Sequence, residues 1–262
     1  VATEGTPVTA RIASGCGTCP YCRRGQIRLC TDIRELGITY DGAFAEYALV
    51  DAETLHRIPE GMDYAEAASV DPAASAHRGV RQLEIDAGDS VVVVGPGPIG
   101  LYGVQLALAE GASPVVMLGT RESRNSVARD LGADATINVR EEDVDARLAE
   151  EVGPEGADAV LEATGNAAAI PSAIDAARKG GAVSLVGLAH QPVESLEFWS
   201  FVRSEKTVQG AFLYTYDEFQ TCLDLFEDGT LTTEGVLTHT LPLSEVDRGF
   251  RLIDEREAIK VH

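Results

Sequence analysis

The stretch Val91-Val-Val-Val-Gly95-Pro96-Gly97-Pro98-Ile99-Gly100, followed by LYGVQLALAEG, decides the fold. Glycines spaced G-x-G-x-x-G are weak evidence alone, but an apolar strand before them and a helix after them supply the confirming context. Gly95 permits the tight turn, Gly97 lets a pyrophosphate approach the backbone, and Gly100 lets the helix pack on the strand. The helix N-terminus would face the phosphates. The stretch therefore predicts a dinucleotide-binding turn; the alternative is a glycine turn that binds nothing.

Apolar strands alternate with helix-sized segments from Asp89 onward. Continuous apolar strands, each followed by a helix, indicate a parallel sheet covered on both faces. The predicted strands are Val91–Val94, Val115–Leu118, Thr136–Val139, Ala159–Ala163, Val183–Leu188 and Val208–Phe212. The predicted fold class is α/β, with these strands in a doubly wound Rossmann domain.

The end of the second strand predicts which cofactor is bound. About twenty residues after the glycines, such domains carry a carboxylate that binds the ribose 2′-hydroxyl. Here Leu118 is followed by Gly119-Thr120-Arg121, without a carboxylate. Thr120 offers a hydroxyl and Arg121 a planar cation for a 2′-phosphate, with Arg124 as a second cation. We therefore predict NADP, with NAD less favoured; in the alternative, Arg121 only begins a solvated helix.

Four of the five cysteines, Cys16, Cys19, Cys22 and Cys30, lie within fifteen positions. This close spacing lets four thiolates surround one zinc ion at about 2.3 Å. A disulfide framework is the alternative, but it is typical of small secreted chains in an oxidising compartment. Because zinc held by four thiolates has no open position for a substrate, we predict a structural zinc site.

The charge balance is strongly acidic, since 42 acidic and 21 basic residues give a net charge of −21. Such a field repels phosphate backbones, so a nucleic-acid partner is disfavoured, and with it a zinc-ribbon nucleic-acid reader. The apolar runs are strand-sized and no signal-peptide pattern is present, so we predict a cytoplasmic protein without a membrane partner. The acidic, lysine-poor composition also suggests a halophilic source, a hypothesis that activity falling steadily with rising salt would contradict.

Further motifs resemble the zinc-containing medium-chain alcohol and polyol dehydrogenases, the family of sorbitol, threonine and alcohol dehydrogenases. Beyond the cysteine run and the glycine motif, the resemblance rests on DGAFAEYALV (Asp41–Val50), His56–Val80, ARDLGAD (Ala128–Asp134), LEATGN (Leu161–Asn166) and SLVGL (Ser184–Leu188). The resemblance implies an NAD(P)-dependent oxidoreductase that transfers hydride between the cofactor and the CH–OH group of a secondary alcohol, polyol or sugar. It also implies a GroES-like, β-rich catalytic domain beside the Rossmann domain, and a homodimer or homotetramer.

The resemblance also implies positions for reacting and binding groups. Asp71 stands where the family places a ligand of a catalytic zinc that polarises the substrate oxygen; the alternative is that Asp71 caps a helix starting at Pro72. Ser75, one turn along, would approach the nicotinamide. Lys260 would meet the pyrophosphate, unless it is only a solvated terminal lysine. Residues at or after the strand ends would contact the cofactor: Thr164, Val186, Leu188 and Leu213.

The family's first two catalytic-zinc ligands lie upstream of the cysteine lobe, and none of the fifteen residues before Cys16 is Cys or His. We therefore expect an N-terminally truncated chain, which intact mass spectrometry would test. The predicted domains are residues 1–71, a catalytic-domain remnant with the zinc lobe; 72–212, the Rossmann domain; and 213–262, a return to the catalytic domain. Two other functions stay open: a zinc-stapled nucleotide-binding fragment without turnover, and a zinc-free reductase of activated double bonds.

Overall fold

A computed structural model describes residues 2–193 and 196–262 of the 262-residue chain. The chain divides into two compact units. The first unit comprises the chain up to Ala74 together with Phe212–His262, and the second is Ser75–Ala211. Within the described ranges, no helix is both long and apolar enough to cross a membrane.

The first unit begins with short antiparallel strand pairs. Its strands are β1 (Val8–Ala10), β2 (Ala13–Ser14), β3 (Arg34–Glu35) and β4 (Leu55–Arg57). β1 pairs with β4, and β2 pairs with β3. The cysteine segment lies between β2 and β3 and contains two 3-10 turns, Cys22–Arg24 and Ile27–Leu29. A two-stranded ladder therefore closes the base of the cysteine loop.

The first long helix, α1 (Tyr64–Arg81), shows that the alternative interpretation of Asp71, as the cap of a helix starting at Pro72, was wrong. Asp63 Oδ1 accepts the Glu66 N–H at 2.7 Å, and Glu66 Oε2 accepts the Asp63 N–H at 3.2 Å. This reciprocal capping box starts the helix about two turns before Pro72. Pro72 lies inside α1, where it removes one backbone donor. Asp71 is consequently a mid-helix residue and not an N-cap.

The second unit is built on a parallel sheet. Its strands are β5 (Val91–Val94), β6 (Val115–Gly119), β7 (Ala135–Asn138), β8 (Ala157–Glu162), β9 (Ala177–Leu185) and β10 (Thr207–Gly210). Its helices are α2 (Pro98–Ala109), α3 (Glu122–Asp130), α4 (Val144–Glu151), α5 (Ile170–Ala176) and α6 (Phe198–Ser204). The order β10-β9-β8-β5-β6-β7 is that of a doubly wound Rossmann sheet. The predicted fold class is therefore confirmed.

The fifth predicted strand was misplaced at both ends. β9 starts at Ala177 instead of Val183 and ends at Leu185. Its pairing register with β8 shifts once, so an irregularity in the strand accommodates the polar and glycine residues between Ala177 and Ala182. Leu188 therefore lies in the loop after β9, and not at the end of the strand.

The chain returns to the first unit with α7 (Tyr216–Glu227), β11 (Leu237–His239), α8 (Val246–Asp254) and β12 (Lys260–Val261). A capping box between Thr215 and Glu218 starts α7. This helix buries one stripe of side chains that includes Phe219 and Cys222. Cys222 is thus a core thiol, separate from the cysteine loop.

A polar network joins the amino ends of three neighbouring strands in the second unit. Asp158 accepts the Ser90 N–H at 2.8 Å, the Ser90 hydroxyl at 2.7 Å and Arg178 Nε at 2.6 Å. Burial alone would raise the pKa of Asp158, but these donors outweigh it and lower the pKa to about 2. Because this pKa is below the ordinary value of 3.8, the ionised Asp158 carboxylate stabilises the fold above pH 3.8. This stabilisation is lost as pH falls toward 2.

We expect Asp158→Asn to lower the free energy of unfolding near neutral pH by about 1 kcal/mol after solvent screening. The loss should shrink as pH falls from 3.8 toward 2, because the wild-type carboxylate is then protonated as well. Urea unfolding over this range measures the loss, with Asp41→Asn, a change at an exposed carboxylate, as the control. An equal loss at every pH would contradict the assignment.

Candidate cofactor site and metal centre

The glycine turn connects β5 to α2 at the carboxyl end of the sheet. Gly95 has a φ of 105°, which favours glycine because it lacks a Cβ. A Cβ on Gly95 would lie 2.6 Å from Thr164 Cγ2, and a Cβ on Gly100 would lie 2.0 Å from the Gly95 carbonyl oxygen. The turn is therefore closely packed at its first and last glycines.

Gly97, the middle glycine, faces open space, because a Cβ there would meet nothing within 4 Å. It is the N-cap of the 12-residue helix α2, with Pro98 and Ile99 in the first turn. Backbone N–H groups in the first turn of a helix have no partners within the helix, and the helix dipole adds positive potential. Open space in front of such donors fits the pyrophosphate of a dinucleotide.

Glu162 fixes Thr164 beside the glycine turn. It ends β8, where it pairs in register with Val94 at the end of β5. Its fully buried carboxylate accepts the Thr164 backbone N–H at 2.7 Å and also the Thr164 hydroxyl. Thr164 was predicted from the sequence as a site residue, whereas Glu162 was not. The signal that could have identified Glu162 is an acidic residue at the end of an apolar strand.

The end of β6 lies next to the same turn. A Cβ on Gly119 would be 2.8 Å from Pro96 Cγ. Thr120 is exposed, and the half-buried Arg121 is the N-cap of α3 without a side-chain capping bond. In the described part of the chain, no hydrogen bond or ion pair engages the Arg121 guanidinium. The cation and the hydroxyl are thus available to a ligand beside the glycine turn.

Two further loops lie side by side at the carboxyl ends of β8 and β9. A Cβ on Gly165 would be 2.9 Å from the Leu188 backbone nitrogen and oxygen. Val186 is buried, whereas Leu188 is exposed. The second unit thus brings the glycine turn, Thr164, Val186 and Leu188 to one edge of its sheet. Leu213 and Lys260 belong to the first unit.

The four clustered cysteines could hold one metal ion. Their Sγ atoms all lie within 4.8 Å of one another, and all four thiols are free of disulfides. Backbone N–H groups point at the sulfurs: Cys16 N lies 3.3 Å from Cys30 Sγ, and Cys22 N lies 3.4 Å from Cys19 Sγ. The Cys22 N–H is the main cause that lowers the pKa of Cys19 to about 6. This donor set fits a closed tetrahedral zinc site, as predicted.

Asp71 is held by Tyr214 within the first unit. The Tyr214 hydroxyl donates a hydrogen bond to Asp71 Oδ1. Burial raises the pKa of Asp71, and the tyrosine bond and the positive charge of Lys260 offset this only in part. Burial lowers the pKa of Lys260, and Asp71 partly offsets that shift. Lys260 is therefore a partly buried neighbour of Asp71, and Ser75 lies half-buried one turn along α1.

The structure does not build a catalytic zinc site around Asp71. Apart from the four cysteines, no cluster of three or more metal-ligating side chains is present among the described residues. A single carboxylate that is already bonded to a tyrosine lacks the three protein ligands of catalytic zinc sites. Residues 2–193 and 196–262 thus fit zinc at the cysteines only.

A doubly wound sheet with this glycine turn, in a chain whose other unit carries a four-cysteine loop, is typical of nucleotide-dependent dehydrogenases. Two family models match the chain: the alcohol dehydrogenase GroES-like domain over residues 2–60, and zinc-binding dehydrogenase over residues 98–228. The sorbitol dehydrogenase of Halalkalibacterium halodurans is 35% identical, over 94% of this chain and 72% of that protein.

Two solved structures support the same family. The alcohol dehydrogenase of Thermus sp. ATN1 superposes with a TM-score of 0.93 at 33% identity, covering 99% of this chain and 77% of that chain. A zinc-binding dehydrogenase of Sinorhizobium meliloti, solved bound to NADP, superposes with a TM-score of 0.88 at 31% identity, covering 94% and 73%. The chain belongs to the zinc-containing medium-chain dehydrogenases and is an enzyme of their alcohol and polyol dehydrogenase class.

Proposed function

We propose that this dehydrogenase transfers hydride between NADP(H) and the CH–OH carbon of a secondary alcohol, polyol or sugar. The observation that carries the proposal is the open space at Gly97 before the first turn of α2, with Arg121 and no carboxylate at the adjacent strand end. The relationship to a sorbitol dehydrogenase supports a polyol substrate, and the likeness to a structure bound to NADP supports the cofactor.

Each part of the site has a proposed role. When bound, the nicotinamide supplies the carbon that accepts or donates the hydride. The first turn of α2 binds the pyrophosphate, and Thr120 and Arg121 bind the 2′-phosphate. Thr164, held by Glu162, positions the cofactor from the neighbouring strand. Within Ser75–Ala211, the residues proposed to contact the nicotinamide half are Ser75, Val186 and Leu188. The cofactor contacts that the family resemblance implies for Leu213 and Lys260 stay predictions.

The two units receive matching roles. Ser75–Ala211 would be the dinucleotide-binding domain, close to the predicted 72–212. The other unit would be the GroES-like catalytic part with its zinc loop, and Asp71 and Tyr214 its candidates for contact with the substrate. Cytoplasmic location, assembly as a homodimer or homotetramer, and the halophilic source remain predictions.

A substrate panel tests the activity. Secondary alcohols, polyols, aldoses and threonine are incubated with NADP, and the absorbance of reduced nicotinamide is followed. NADP-dependent oxidation of any panel member supports the proposal. NADPH binding and one zinc per chain without turnover would favour the nucleotide-binding fragment instead. NADPH-dependent reduction of an activated double bond without alcohol oxidation would favour the zinc-free reductase.

We expect Arg121→Ala to weaken NADPH binding by roughly tenfold or more and to leave NADH binding nearly unchanged, because only NADPH carries the 2′-phosphate. Fluorescence titration of both reduced cofactors measures the effect. Lys179→Ala, which removes an exposed cation from the same unit, is the matched control for loss of general positive charge. Unchanged NADPH binding would assign Arg121 to the solvated helix start, and equal weakening of both cofactors would show that Arg121 does not contact the 2′-phosphate.

A further inference from the structure

Asn125 in α3 is buried without hydrogen-bond partners for its amide. It is 1% exposed, and neither Oδ1 nor Nδ2 has a partner within the described part of the chain. Burying an unpaired amide costs free energy, so a polar side chain at this position needs an explanation beyond packing. Its neighbour on the buried face of the helix is Ala128, an apolar residue.

The Asn125 amide occupies the space in front of Gly119. A Cβ built on Gly119 would lie 1.9 Å from Asn125 Oδ1 and 3.0 Å from Asn125 Cγ. Gly119 ends the second strand of the sheet, where a dinucleotide-binding domain selective for NAD places its ribose-binding carboxylate. Any side chain at position 119 would therefore have to displace the amide.

We propose that Asn125 is a specificity-determining residue, which fills the place of a carboxylate at position 119 with an uncharged amide. The inference rests on the proposed NADP-dependent function and deepens it. An amide does not repel a 2′-phosphate as a carboxylate would, and it leaves Arg121 as the charged group beside the strand end. Gly119 and Asn125 thus contribute to NADP selectivity together with Arg121, and the residue at the strand end does not act alone.

A double-mutant cycle tests the coupling. Gly119→Asp alone is expected to weaken NADPH binding at least roughly tenfold without a gain for NADH, because the new side chain collides with Asn125. Gly119→Asp with Asn125→Ala should bind NADH roughly tenfold more tightly than Gly119→Asp alone. The control pairs Gly119→Asp with Ser126→Ala, the next residue of α3, and should show no such gain.

A melting experiment covers the case in which Gly119→Asp does not fold. Gly119→Ala should lower the melting temperature, and Asn125→Ala but not Ser126→Ala should restore part of the loss. NADH binding by Gly119→Asp as tight as by the double variant, or additive melting shifts, would overturn the role of Asn125 while leaving the proposed function in place. A wild-type chain that binds neither NADPH nor NADH would overturn both.

Discussion

Replacing Gly97 with alanine is expected to weaken NADPH binding by about tenfold or more without lowering the melting temperature. The free chain has room for the methyl group, because a Cβ at this position meets nothing within 4 Å. Its backbone, at φ −92° and ψ −179°, is also open to alanine. The methyl would instead occupy the space that the pyrophosphate needs against the backbone. Calorimetric titration with NADPH and a thermal melt measure the two quantities.

Gly100→Ala is the matched control in the same turn, and this variant is expected to lower the melting temperature. Its Cβ would lie 2.0 Å from the Gly95 carbonyl oxygen, a contact that only a shift of α2 against the turn relieves. Overpacking of this kind costs about 1–3 kcal/mol, so the melting temperature should fall. If Gly97→Ala bound NADPH as tightly as the wild type, the pyrophosphate could not lie over Gly97.

Among the changes considered, loss of the cysteine-bound zinc is expected to lower the stability of the protein most. Cys30→Ser should abolish stoichiometric zinc binding, because Cys30 is one of the four sulfurs within 4.8 Å. The variant should melt about 10 °C lower, since a loss of about 3 kcal/mol shifts a protein of this size by that amount. Metal analysis after dialysis and a thermal melt are the measurements.

Cys222→Ala separates loss of the metal from loss of a thiol. Cys222 is fully buried in α7 and lies outside the cysteine loop, so this variant should keep one zinc per chain. Its melting temperature should fall only by the effect of a small core cavity. A Cys30→Ser protein that kept its zinc, or that melted like Cys222→Ala, would contradict a structural zinc site.

Local patterns in the sequence predicted most strands of the parallel sheet in the second unit. β5 has the predicted bounds Val91–Val94, because its side chains are buried on both faces and a glycine turn ends it at once. The cysteine cluster was equally predictable, since its ligands are near one another in sequence. Asp63 and Glu66 also form a capping-box pattern in the sequence, whereas Asp71-Pro72 suggested a later helix start.

Contacts between distant segments could not be predicted in this way. Tyr214 bonds to Asp71 from a position 143 residues away, and no local pattern links the two. Asn125 had a weak local signal, a polar residue on the buried face of a helix, but its clash with a Cβ on Gly119 is visible only in three dimensions. The register shift in β9 likewise depends on its neighbour β8.

Calorimetric titration of the zinc-loaded chain with NADPH and, separately, with NADH measures the cofactor preference on which the proposed function depends. We expect one NADPH site per chain, with an affinity at least roughly tenfold higher than that for NADH. Equal affinities for the two cofactors, or no binding of either, would contradict an NADP-selective site built from the glycine turn, Arg121 and a strand end without a carboxylate.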